Sequence, residues 1–136
     1  MSMSAIDRAL VAARARISRV DPATAARMRD AGALLVDTRP QAQCETHGLI
    51  EGAVAIERNH LEWRLDRSGE WMHPAMETHT GAIVVFCQEG YSSTLAVASL
   101  VDIGVGDVHE LAGGFDAWAA AGLPIVVARD APAPRS

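Results

Sequence analysis

The 136-residue sequence predicts an α/β domain, a parallel sheet with helices on both faces. Three observations lead there. Short runs rich in Val, Ile and Leu recur at ALLVDTRP (33–40), AVAIE (53–57) and AIVVFC (82–87). Helix-like stretches separate them, and strands alternating with helices imply right-handed crossovers between parallel neighbours. Several runs also end in charged or nucleophilic residues, as strands do when their carboxyl ends open on a crevice.

Taken in chain order, residues 5–16 (AIDRALVAARAR) are rich in Ala, Leu and Arg and read as a helix, and Ile17 to Val20 as an edge strand. Asp21 followed by Pro22 forms an N-cap with proline at the first helical position, opening a helix that stops at Gly32. The run at 33–40 is a buried strand delivering Asp37 and Arg39 to the surface, followed by strands at 53–57 and 82–87 and a shorter one at VHEL (108–111). Helices are predicted over 59–66, about 92–103 and 114–121, the last stopped by Gly122-Leu-Pro124. Residues 1–128 form one domain in this reading, and the Pro- and Ala-rich tail 129–136 is expected to be disordered.

Composition narrows the function classes. A net charge of -5 with 12 scattered Lys+Arg residues supplies no basic footprint for nucleic acid. No run of about 18 apolar residues suggests a membrane span. Asp7, Arg8, Arg14 and Arg16 interrupt the N-terminal stretch where a signal peptide would need a continuous apolar core, so a cytoplasmic location is expected. The 2 cysteines, Cys44 and Cys87, cannot build a disulfide framework. Cys44-x2-His47 with His60, His73 and His79 lacks the paired ligand knuckles of a structural zinc site, and no metal is assigned.

The chemistry concentrates at IVVFCQEGYSST. Cys87 closes a buried strand, Gly90 lies in the short loop after it, and Ser92, Ser93 and Thr94 open a helix. Loop amides and the positive end of the helix dipole favour negative charge at such a centre, which lowers a thiol's pKa and makes it a nucleophile. Gly90 suits a positive φ, and Ser92 or Ser93 can cap the helix or donate to an anion. Cysteine is also common as the last buried residue of a strand, and the loop alone leaves both readings open.

Four motifs together resemble the rhodanese homology family over about residues 17–127: VDTRP at a strand end, HGLIEGAVAI leading into a strand, CQEGYSS before a helix, and GGFDAWAAAGLPI at the close. The closing motif contributes Gly113, Gly114, Phe115, Trp118, Gly122 and Pro124 as a tight turn, an aromatic core contact and a helix stop. The resemblance implies a five-stranded parallel sheet flanked by helices, and a sulfurtransferase in which Cys87 accepts a sulfane sulfur from a donor such as thiosulfate or a persulfide. It would hold that sulfur as a persulfide cradled by the Gln88–Ser92 amides, then pass it to a thiol or cyanide acceptor, a protein thiol included, without a cofactor. Gln88, Glu89, Gly90, Tyr91, Ser92, Ser93 and Arg58 are the candidate substrate-binding residues, and Asp37 with Arg39 is expected to brace the site as an ion pair. The same scaffold also serves as a persulfide carrier or protein-interaction module without turnover, which is the alternative.

The departures from the family pattern bear on the substrate. A six-residue loop, Cys87 to Ser92, resembles the sulfur-transfer members, whereas a loop one residue longer fits phosphate or arsenate. Cysteine phosphatases need an arginine six positions after the cysteine, and Ser93 stands there. Gln88 and Ser92 occupy places where many family members carry arginine, and Glu89 adds a negative charge, which counts against dianionic thiosulfate. His47 is one place away from the family's usual histidine and is assigned no role; Arg58 follows a strand and is the candidate for meeting an anionic substrate. Cys44, expected in a loop near the site, could resolve an oxidised or persulfidated Cys87, and Trp63 and Trp71 read as packing or rim residues.

Overall fold

A computed structural model of the chain describes residues 2–127; the predicted disordered tail lies outside the described residues. The first helix, α1 (Ala5–Arg14), opens with a capping box: Ser4 Oγ accepts from the Asp7 amide and Asp7 answers the Ser4 amide. Then come β1 (Ser18–Val20), α2 (Pro22–Asp30), β2 (Leu34–Asp37), α3 (Gln41–His47) and β3 (Val54–Ala55). A 3-10 turn at Arg58–His60 leads to α4 (Leu61–Leu65) and α5 (Ala75–Thr78), followed by β4 (Ile83–Phe86), α6 (Ser92–Asp102), β5 (Val108–Leu111) and α7 (Gly114–Ala120). The strands form one five-stranded sheet in the order β1-β5-β4-β2-β3, every pair parallel. This is the expected α/β architecture, with Ser18–Val20 at the edge.

Alternation along the strands divides the core between the two faces. Leu34, Val36, Ile83 and Val85 pack with Leu61 and Leu65 of α4 and Ala96, Val97 and Leu100 of α6. Leu35, Val84, Phe86 and Leu111 pack on the other face with Ala25 of α2 and Phe115 and Trp118 of α7. As predicted, Asp21 caps α2, accepting from the Thr24 amide at 2.7 Å, with Pro22 in the first turn. Two helices were not predicted. No residue of α3 is buried, so no apolar stripe marks it in the sequence, and α5 is a single turn of four residues. Among the described residues no helix is long and apolar enough to cross a membrane.

Register and close packing position the site. Asp37 pairs with Phe86, so β2 and β4 end at the same level and release Thr38-Arg39 beside Cys87-Gln88. Thr38 extends the pairing, its amide and hydroxyl both donating to Phe86 O, at 3.0 and 2.9 Å. The first turn of α7 sits directly on the cysteine loop: the Phe115 amide donates to Cys87 O at 2.9 Å and the Asp116 amide to Gln88 O at 3.0 Å. Loop carbonyls thereby satisfy N–H groups that a helix start leaves unpaired. This approach needs glycine, because Gly114 has φ +63° and a Cβ there would overlap the carbonyl oxygen of Cys87. Gly114→Ala is expected to cost about 1–3 kcal/mol through the strained φ and the backbone overlap, read from the urea midpoint; an unchanged midpoint would contradict the seating of α7 on the loop.

Candidate active site

Cys87 is the first residue past β4 and is 6% exposed. The Gly90 amide donates to its Sγ at 3.2 Å and the Ser93 amide at 3.4 Å, while the thiol donates to Ser93 Oγ at 3.1 Å. Neither Ser92 nor Ser93 occupies the helix cap: Tyr91 is the N-cap of α6 and makes no side-chain capping bond. The sulfur itself takes one of the amides that a cap would have answered, at the positive end of an 11-residue helix. Burial pushes the thiol up, but the Ser93 and Ser92 hydroxyls and the Ser93 and Gly90 amides outweigh it and hold Cys87 below the ordinary thiol range. Gly90 has φ +87°, and a Cβ there would lie 2.7 Å from the Gly113 amide nitrogen.

In front of the sulfur lies a cleft of about 510 Å³ whose wall includes Arg58, Glu89, Tyr91 and Ser92. Glu89, which lines this cleft, is exposed. Arg58 also reaches the cleft, but its Nη1 is bound by both Glu62 carboxylate oxygens at 2.9 Å. Tyr91 is 56% exposed, and its ring faces the Arg14 guanidinium at 5.9 Å. Arg14 Nη2 also donates to Gly90 O at 2.9 Å, tying α1 to the loop from behind.

Asp37, Arg39 and Gln88 form one buried network. Arg39, with no exposed side-chain surface, donates to both Asp37 oxygens, to Gly48 O at 2.8 Å and to Gln88 Oε1 at 3.0 Å. Its guanidinium also stacks 4.2 Å from the Phe115 ring centroid. Gln88 Nε2 donates in turn to Asp116 Oδ1 at 2.6 Å. The Gln88 side chain, a candidate substrate contact by sequence, is therefore held by Arg39 and Asp116, and its amide nitrogen is spent within the fold.

Cys44 lies on α3, a helix rather than the expected loop, and lines a different cavity, of about 660 Å³. Its thiol approaches Asp37 Oδ2 at 3.6 Å and is pushed up to about 11, first by burial and then by the Asp37 charge. Trp63 and Trp71 are 61% and 65% exposed and stand with His60 and Arg64 around a rim depression. Among the described residues no three His, Cys, Asp or Glu side chains converge as metal ligands would.

The residue that sequence reasoning missed is Glu110 on β5. It is fully buried, accepts from Ser93 Oγ at 2.6 Å and from Arg19 Nε at 2.7 Å, and contacts Thr94 Oγ1 at 2.7 and 2.9 Å. The available signal was an acid inside a strand buried on both faces, where a carboxylate needs partners.

Comparison with known proteins agrees with this geometry. The model of the rhodanese-like domain family matches residues 21–121. A thiosulfate sulfurtransferase GlpE from Stutzerimonas stutzeri (strain A1501) is 33% identical over 103 residues, covering 74% of this chain and 83% of that protein. One from Pseudomonas syringae pv. syringae (strain B728a) is 37% identical over 101 residues, covering 74% and 85%. Among solved structures, a protein of unknown function from Rhodopseudomonas palustris CGA009, described as a possible tyrosine phosphatase, superposes with a TM-score of 0.81 at 29% identity, covering 93% of this chain and 97% of the other. With the strand order, the glycine-seated α7 and the cysteine loop in place, the chain belongs to the rhodanese-like domain family.

Proposed function

We propose that the chain is a sulfurtransferase that carries sulfane sulfur on Cys87. Membership of the family, with relatives named thiosulfate sulfurtransferase at 33–37% identity, supports sulfurtransferase activity in general. The observation that carries the finer reading is the sulfur of Cys87 facing the Gly90 and Ser93 amides at the start of α6, beside an open cleft. In the first step the Cys87 thiolate attacks the outer sulfur of a persulfide or thiosulfate. The donor's S–S bond breaks, and its electron pair leaves with the thiolate or sulfite. The enzyme persulfide then bears a terminal sulfur anion, which the loop amides and helix dipole stabilise. A thiol or cyanide acceptor takes that terminal sulfur and returns Cys87 to the thiolate. A protein thiol fits the acceptor role, and the cytoplasm, where two unpaired cysteines stay reduced, is the compartment of this reading.

Among donors, the cleft favours a persulfide over thiosulfate. Its wall combines exposed Glu89 with an Arg58 already paired to Glu62, a poor setting for a dianion. Phosphoryl transfer is disfavoured for a related reason: where a phosphate clamp needs arginine, Ser93 faces Cys87 and the buried Glu110 carboxylate.

Incubation with thiosulfate and cyanide should yield thiocyanate from wild type and none above background from Cys87→Ser; equal rates would defeat the proposal. A persulfide that forms on Cys87 but is never passed on would mark a carrier or interaction module instead. Glu89→Gln is expected to lower the KM for thiosulfate by about two- to fivefold, the value of removing an exposed charge contact of roughly 0.5–1 kcal/mol, with kcat little changed. At neutral pH iodoacetamide should label Cys87 before Cys44, because one thiol is held below its ordinary range and the other is pushed up to about 11; peptide mass spectrometry reads the order.

A further inference from the structure

Glu110 has no part in the sulfur-transfer steps above, yet it is fully buried and one hydroxyl away from the nucleophile. Ser93 has a single hydrogen to donate. With Cys87 as the thiol, the S–H points at Ser93 Oγ and the Ser93 hydrogen points at Glu110 Oε2. A thiolate reverses the requirement, since it needs the Ser93 hydrogen for itself. If Ser93 turns that hydrogen to the sulfur, its oxygen is left 2.6 Å from Glu110 Oε2, a gap that a proton on Glu110 would bridge by donating back.

We propose that Glu110 is a positioning residue that acts through Ser93 as the internal proton acceptor for the Cys87 thiol. The S–H bond breaks and its proton passes to Ser93 Oγ as the Ser93 hydrogen passes to Glu110 Oε2. The products are a thiolate facing the Ser93 hydroxyl and a neutral carboxyl, with the same proton count and net charge as before. The proton rests on Glu110 while sulfur carries the negative charge, as thiolate or persulfide, and returns when the thiol re-forms.

The groups facing Glu110 set the balance. Arg19 of β1 donates to Oε1, and Ser93 and Thr94 of α6 contact the carboxylate. Arg14 of α1 reaches it through Thr94 Oγ1 at 3.3 Å, and Cys87 through Ser93. Arg19 is the one charge in direct contact among these. Its positive charge, 2.7 Å from Oε1, opposes moving the shared proton from Cys87 to Glu110. Both arginines precede residue 21, where the match to the family model begins. Their contacts with Glu110 and Thr94 therefore come from the segment that precedes that match.

The inference rests on Cys87 being the nucleophile, but its test reads the thiol itself and needs no sulfur transfer. The rate of Cys87 alkylation by iodoacetamide is measured on the full chain from about pH 5 to about pH 10, where coupled groups titrate as a pair. Wild type should rise in two steps separated by a plateau. Glu110→Gln and Ser93→Ala should each rise in one step, the second variant leaving the carboxylate in place. Arg19→Gln should raise the plateau rate, because the positive charge that opposes moving the proton to Glu110 is gone. A simple through-space loss of positive charge would lower it. A single step in wild type, a second step persisting in Glu110→Gln, or an Arg19→Gln plateau at or below wild type overturns the proposal.

Discussion

A guanidinium without solvent contact must have its N–H groups answered by the protein, and at Arg39 the answers come from Asp37 two residues away, Gly48 nine away and Gln88 49 away. Asp37 at the end of β2, Gly48 after α3 and Gln88 in the cysteine loop accept from it, and Phe115 of α7 covers its face. Breaking a buried pair of this kind by removing one partner costs about 3–5 kcal/mol, because the remaining charge is stranded. The site's geometry depends on this cluster. Gln88 is committed to Arg39 and Asp116, which fixes the loop's path after Cys87, and α7 is fastened to the loop's carbonyls. Gly114 brings no Cβ against the Cys87 and Gln88 carbonyls and Gly90 none against Gly113, and the Gly90 and Ser93 amides face the sulfur.

The resulting site stabilises an anion with few cations. Arg14 supports the loop from behind, Arg39 is consumed within the fold, and Arg58 is shared with Glu62. Charge on Cys87 is instead met by the Ser93 and Ser92 hydroxyls and the Ser93 and Gly90 amides, which together outweigh burial. A soft monoanion such as a persulfide needs little more, whereas a phosphate or sulfate-like dianion is normally held by a fork of charged donors. The same economy places weight on Ser93, whose one hydrogen lies between Cys87 and Glu110.

Much of the fold was legible in the sequence because buried parallel strands are short, apolar and bounded by glycine. ALLVD, IVVF and VHEL each occupy the sheet where their composition indicated, and Asp21-Pro22 marked a helix start through specific capping chemistry. The segment Gln41–His47 was not legible as a helix, since it buries nothing and so carries no periodic apolar face. The place of Cys87 between a strand and a helix could be read from residue order alone. The assignments of side chains around it could not, because partner choice depends on register: Gln88 is beside Cys87 in sequence yet turns to Asp116, 28 residues away. Glu110 stayed hidden for the same reason, its partners Arg19 and Ser93 being 91 and 17 residues distant.

The central claim is that Cys87 holds a transferable sulfur atom. The most direct measurement is the mass of the protein after incubation with a low-molecular-weight persulfide and removal of the donor. Wild type should gain the mass of one sulfur atom, mapped by peptide analysis to Cys87 and removed by cyanide. No gain in wild type, or a gain that persists in Cys87→Ser, would contradict the account.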